Sequence, residues 1–210
     1  MLKDEEIMAA RLMRVYELRL TMDDQGGRIK PLWRTLRIPG VVQLGRLSEL
    51  IQVVMQWSGL HMHDFKIGGV RFGDTDPEHD YSGLLSPDLR DEWEAPLDCI
   101  FRDVGASVHY TYDFGESWEV SITVEGLGQP DDHRLVYCTG GDGGSPPEDG
   151  SRRGKRSKFS QAATNRDLAE YLDWLNRVAE GDADDEDLAH PLSPLGPRVE
   201  SYPVGPDDIW

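Results

Sequence analysis

Two runs of alternating residues constrain this chain more than any other feature. Val108, Tyr110 and Tyr112 alternate with His109 and Thr111, and Trp118, Val120, Ile122 and Val124 alternate with Glu119, Ser121, Thr123 and Glu125. A two-residue period turns every second side chain to the same face of a strand, whereas on a helix it would scatter around the axis. With only Asp113 to Ser117 between them, the runs predict a β-hairpin, and so a sheet with at least one antiparallel pair.

Other segments extend that sheet. Tyr16, Leu18 and Leu20 oppose Glu17 and Arg19, predicting a strand over Arg14 to Met22, a turn at Asp23 to Gly27 and a returning strand over Ile29 to Ile38. Pro31 cannot donate to a ladder, so the first half of that strand belongs at an edge or bulge. Leu47, Leu50, Ile51, Val54, Met55 and Trp57 recur at helical spacing, predicting an amphipathic helix from about Leu44 to Trp57, stopped by Ser58 and Gly59. His61 to Phe72 reads as a strand, and acidic Gly73 to Glu94 as a surface excursion with one short helix at Asp88 to Trp93. A last strand, Arg134 to Cys138, leads into a loop rich in glycine and proline, Gly140 to Pro147. Asn165 is then expected to cap a helix with the stripe Leu168, Tyr171, Leu172, Leu175 and Val178. Many strands and two principal helices predict an α+β fold: a single domain over 1–179 with a mainly antiparallel sheet packed by those helices. Residues 180–210 form an acidic tail of net charge -8 with five prolines, either extended or docked through Tyr202, Val204, Ile209 and Trp210.

The whole chain carries 22 basic and 39 acidic residues, a net charge of -17, which repels phosphate and excludes a protein that coats nucleic acid with its entire surface. No run approaches the ~18 apolar residues of a membrane span, so no membrane partner is expected. Asp4, Glu5 and Glu6 suit neither a secretory signal nor a transit peptide, which predicts a cytoplasmic protein. Cys99 and Cys138 are too few for a disulfide framework and are expected to be free thiols.

Several segments, taken in order, resemble the plasmid pRiA4b open-reading-frame-3-like family, some of whose members are described as insertion-element passenger proteins or carry a resolvase label. They are Pro31-Leu32-Trp33-Arg34, the helix ending Gln56-Trp57, His61-Met62-His63-Asp64-Phe65, Tyr112-Asp113-Phe114-Gly115-Glu116-Ser117-Trp118-Glu119, and Tyr137-Cys138-Thr139-Gly140-Gly141 with Pro146-Pro147-Glu148-Asp149. The resemblance runs from about Arg14 to Val178 and implies a compact α+β fold in a cytoplasmic, often mobile-element-associated protein of unestablished role. The chain departs from the family pattern at Val120, where a histidine is usual, and at Gly150-Ser151-Arg152, where Gly-Gly is usual. The resolvase label finds no support in the residues, because Ser48, Ser58, Ser82 and Ser117 lack the arginine setting of a serine recombinase.

Chemistry-bearing residues fall into three groups. His61 and His63, two apart on an expected strand, face one side, where they could bind a divalent metal (zinc, iron or manganese) with Asp113 or Glu116 and with Glu148 as base, as in a metal-dependent hydrolase. Equally, the pair could cap a turn and stack on Phe65 or Trp57, with His63 donating to a backbone carbonyl. Asp113-Phe114-Gly115 spells a kinase magnesium motif, but the chain lacks that enzyme's other signatures. Gly115 is instead expected to supply a positive φ in the turn, and Asp113, Glu116 and Trp118, with Glu148 and Asp149, to form a binding surface. The run Arg152, Arg153, Lys155, Arg156 and Lys158 either meets nucleic acid or is a solvated loop. The leading expectation is a non-enzymatic binding or accessory module without a cofactor, taking a protein or small-molecule partner. A working face exists only if the His-x-His segment, the hairpin bend and the double-proline loop meet.

Overall fold

The computed structural model describes residues 14–75, 88–129, 136–147 and 158–180. In chain order these hold β1 (Val15–Met22), β2 (Leu32–Pro39), α1 (Leu44–Met55), β3 (His63–Ile67), β4 (Val70–Gly73), β5 (Leu89–Asp91), a 3-10 turn (Glu92–Glu94), α2 (Leu97–Ile100), β6 (Ser107–Tyr112), β7 (Trp118–Gly128), β8 (Tyr137–Asp142) and α3 (Gln161–Glu180). The strands form one sheet in the order β5-β4-β3-β6-β7-β1-β2-β8, antiparallel except for the β4–β5 pair. This is the expected α+β architecture.

Alternation decides which face of the sheet is covered. Tyr16, Leu18, Leu20 and Met22 of β1, Val120, Ile122 and Val124 of β7, and Val108, Tyr110 and Tyr112 of β6 are buried on the inner face. The opposite face carries polar residues and paired aromatics, such as Arg19 stacked 3.6 Å from the centroid of Trp33.

α1 lies against the inner face and is buried along its whole length except at Arg46. Its outer side is enclosed by the 3-10 turn and by α3. The ring of Trp93 sits 2.5 Å from where a Cβ on Gly45 would stand, so glycine is required inside this helix. The helix ends at Gln56, in the left-handed region, two residues before the expected stop.

Several expectations are corrected. His61–Phe72 is not one strand: Gly68 and Gly69, both with positive φ, turn the chain into the β3–β4 hairpin, and His61 precedes it. The expected helix at Asp88–Trp93 is the edge strand β5 followed by the 3-10 turn. The returning strand begins at Leu32, leaving Pro31 outside the ladder. Gly140 and Gly141 continue β8, because Trp33 and Phe159 lie where their side chains would be. Asn165 is not a cap: α3 starts at Gln161, and the Asn165 amide bonds both main-chain groups of Cys138. Cys99 and Cys138 are free thiols, the first exposed and the second buried. No helix among the described residues is long and apolar enough to cross a membrane. Residues 180–210 lie, apart from Glu180, outside the described residues.

Candidate functional site

Strand pairing collects four connections at one end of the sheet. Met22 opposite Leu32, Tyr112 opposite Trp118, His63 opposite Tyr112, and Trp33 opposite Asp142 place there the β1–β2 turn, the β6–β7 bend, the α1–β3 loop and the loop after β8. Among the described residues, the non-glycine ones with positive φ, Gln25, Gln56, Asp113 and Ser117, all fall in these loops. Such conformations persist only where surrounding contacts over-determine them.

Those contacts form a brace centred on Trp57. Its ring stacks on Tyr112, centroids 4.6 Å apart and planes 8° from parallel, and its Nε1–H donates to the Pro146 carbonyl at 3.1 Å. One buried indole thus joins the end of α1, the hairpin and the double-proline loop. The bend is built by Asp113, whose Oδ1 accepts from the backbone N–H groups of Gly115 at 3.0 Å and Glu116 at 3.2 Å, while its own N–H donates to Met62. Positive φ belongs to Asp113 and Ser117, not to Gly115 as expected. A Cβ on Gly115 would stand 3.2 Å from Asp113 Oδ1, so a side chain there would make the carboxylate give by a few tenths of an ångström.

The two histidines take separate carboxylates. His61 Nδ1 lies 3.8 Å from Asp113 Oδ1, its ring edge-on to Tyr112. His63 Nε2 meets both oxygens of Glu92, at 2.9 and 3.0 Å. Glu92 is 1% exposed, and the imidazole packs beside Tyr110 and edge-on to Phe65. Tyr110 shares hydrogen bonds with Ser48 and Gln52, and burial pushes its hydroxyl far above the ordinary value, although those hydrogen bonds oppose the shift. Nothing in the spacing of Glu92 pointed to this pairing, because 29 residues separate it from His63. Among the described residues no group of three or more His, Cys, Asp or Glu stands close enough to hold a metal ion.

Glu116 and Trp118 meet the neighbouring turn. Arg28 donates through Nη1 to the Glu116 carbonyl at 2.7 Å and through Nη2 to Glu116 Oε2 at 2.5 Å, and its guanidinium lies 4.3 Å over the Trp118 ring. Gln25 pairs with the backbone of Glu119 in both directions. The Trp118 Nε1–H is buried without a hydrogen-bond acceptor among the described residues. Glu148, Asp149, Arg152, Arg153, Lys155 and Arg156 lie outside the described residues, and Lys158 is exposed before α3. The brace therefore brings together the His61–His63 segment, the Asp113–Trp118 bend and the loop to Pro147.

The sequence matches the family described as plasmid pRiA4b ORF-3-like protein over residues 14–189. The chain belongs to this family. A relative, the uncharacterized protein y4hQ of Sinorhizobium fredii, is 29% identical over 197 residues, covering 89% of this chain and 91% of its own. The fold is similar to the crystal structure of MM3350 from Methanosarcina mazei Go1, a protein of unknown function, with a TM-score of 0.55 and 24% identity over 86% of this chain and 89% of that one. The pRiA4b ORF-3-like assignment thus supplies fold and family, and the role must be argued from the loop end itself.

Proposed function

We propose that the chain is a cytoplasmic, non-enzymatic binding module whose working surface is the loop end of the sheet. Asp113, Glu116 and Trp118 form its centre, with Pro146 held at the same end by Trp57 and followed in the sequence by Pro147, Glu148 and Asp149. The single observation that carries this reading is the double engagement of Trp57, which stacks on Tyr112 at the end of β6 and holds Pro146, so that one buried indole fixes the double-proline loop against the loop end of the sheet. A photo-crosslinking phenylalanine analogue placed at Phe114, a partly buried aromatic of the same bend, should give one discrete adduct in cells, and the same probe at Ser107, at the opposite end, should give none. Equal labelling from both positions would refute it.

The separation of 3.8 Å between His61 Nδ1 and Asp113 Oδ1 favours a second reading, in which the two are donors to a divalent metal in a hydrolase with Glu148 as base. Its test is elemental analysis of protein purified without added metal, where stoichiometric zinc, iron or manganese lost in His61→Ala would favour it over the first.

A further inference from the structure

Arg28 occupies a place that is built like a recognition site for a cation. The Trp118 ring lies under the guanidinium, the Glu116 carboxylate takes one nitrogen and the Glu116 carbonyl takes the other. This set of an aromatic face, a carboxylate and a carbonyl suits a planar guanidinium better than a compact ammonium, which cannot stack and fork together.

The β1–β2 turn does not depend on Arg28. Ile29 is buried beside it, the Ile29 N–H donates to the Asp24 carbonyl, and Gln25 ties the turn to Glu119. The Arg28 side chain can therefore leave by rotating its own bonds while the turn stays in place. About a third of both the Arg28 and the Glu116 side chain remains open to solvent, so water already competes for this pair and little net stability rests on it. An acidic chain of net charge -17 also draws cationic segments toward it.

We propose that Trp118 and Glu116 form a subsite for an arginine side chain of a polypeptide partner, held in the unbound protein by Arg28, which the partner displaces. This rests on the reading of the loop end as the binding surface and names the chemistry recognised there. Arg28 acts as a placeholder: it keeps the indole face from water and sets a threshold that single cations in solution pass only at high concentration.

The test follows the Trp118 indole N–H resonance, assigned with Trp118→Phe, in the full chain titrated with N-acetyl-arginine amide. Arg28→Met keeps an aliphatic stem over the ring and removes the charge. Saturable shifts are expected in Arg28→Met, about tenfold weaker in the unaltered protein, and lost in Arg28→Met/Glu116→Gln. The neutral citrulline counterpart should give none, and the lysine counterpart a weaker response. Equal responses with and without Arg28, or binding that survives the loss of the Glu116 charge, would overturn the proposal. In the unaltered chain, high ligand concentration should also shift the Arg28 Nε–H resonance, and an unmoved resonance would overturn the proposal without any variant. A partner crosslinked at Phe114 alongside absent arginine binding would remove this inference alone; no adduct at Phe114 would remove the binding-surface reading beneath it.

Discussion

The amide of Asn165 pairs with both main-chain groups of Cys138: the Cys138 N–H donates to Oδ1 at 2.7 Å, and Nδ2 donates to the Cys138 carbonyl at 2.9 Å. A side chain from α3 thus occupies the unpaired side of the edge strand β8, where another strand would otherwise dock, and Gln161 adds a bond to the same carbonyl at 3.1 Å. Asn165→Ala should lower unfolding free energy by about 1–3 kcal/mol in urea titrations, because two backbone groups lose their partners. It should also raise the self-associated fraction seen by light scattering. Unchanged stability would show that water replaces the amide at no cost.

Trp57→Phe keeps a ring on Tyr112 and removes the donor to Pro146. The expected cost is about 1 kcal/mol globally. Hydrogen exchange should report the effect locally, with amides of the loop after β8 exchanging faster while those of β1 stay protected. Uniform acceleration across the sheet would instead place Trp57 in the general core.

Glu92→Ala removes the carboxylate that His63 Nε2 meets beside Tyr110 and Phe65. Losing a buried hydrogen-bond partner of this kind costs about 1–3 kcal/mol. The double variant with His63→Leu should recover part of that loss, giving a coupling energy in a double-mutant cycle. Strictly additive losses would mean the two residues act independently.

Alkaline pH should destabilise the fold earlier than its charge balance suggests. Burial raises the hydroxyls of Tyr110 and Tyr171 above the ordinary value of 10.0 and the Cys138 thiol above 9.0. A raised folded value means these groups keep their protons when the unfolded chain has lost them, so their stabilising contribution is complete below about pH 9 and declines above it. Melting temperatures followed from pH 8 to 11 should fall with steepening slope, each tyrosine adding about 1.4 kcal/mol per pH unit once its unfolded form ionises. Tyr110→Phe should flatten the curve; an identical slope would remove Tyr110 from the cause.

The legible part of the fold is the part written in local period. The alternation of β1, β6 and β7 and the helical spacing of α1 appear in the sequence because each strand or helix must turn its own apolar residues to one side. The glycines of β8 misled for a physical reason: they lie in a strand because Trp33 and Phe159 need the room, and those residues come from elsewhere in the chain. His63 looked like a candidate ligand, but its partner Glu92 was invisible, since a lone glutamate in an acidic stretch carries no mark of the imidazole it will meet.

By itself, then, the sequence determined the family, the antiparallel sheet, the principal helix behind it and the residue types gathered in its turns, because these depend on neighbours a few positions apart. Tertiary structure alone decided that Trp57 would hold Pro146, that Arg28 would lie on Trp118 and that Asn165 would close an edge strand. Those pairs span 89, 90 and 27 residues, and only the pairing order of the sheet brings their ends within hydrogen-bond or stacking distance.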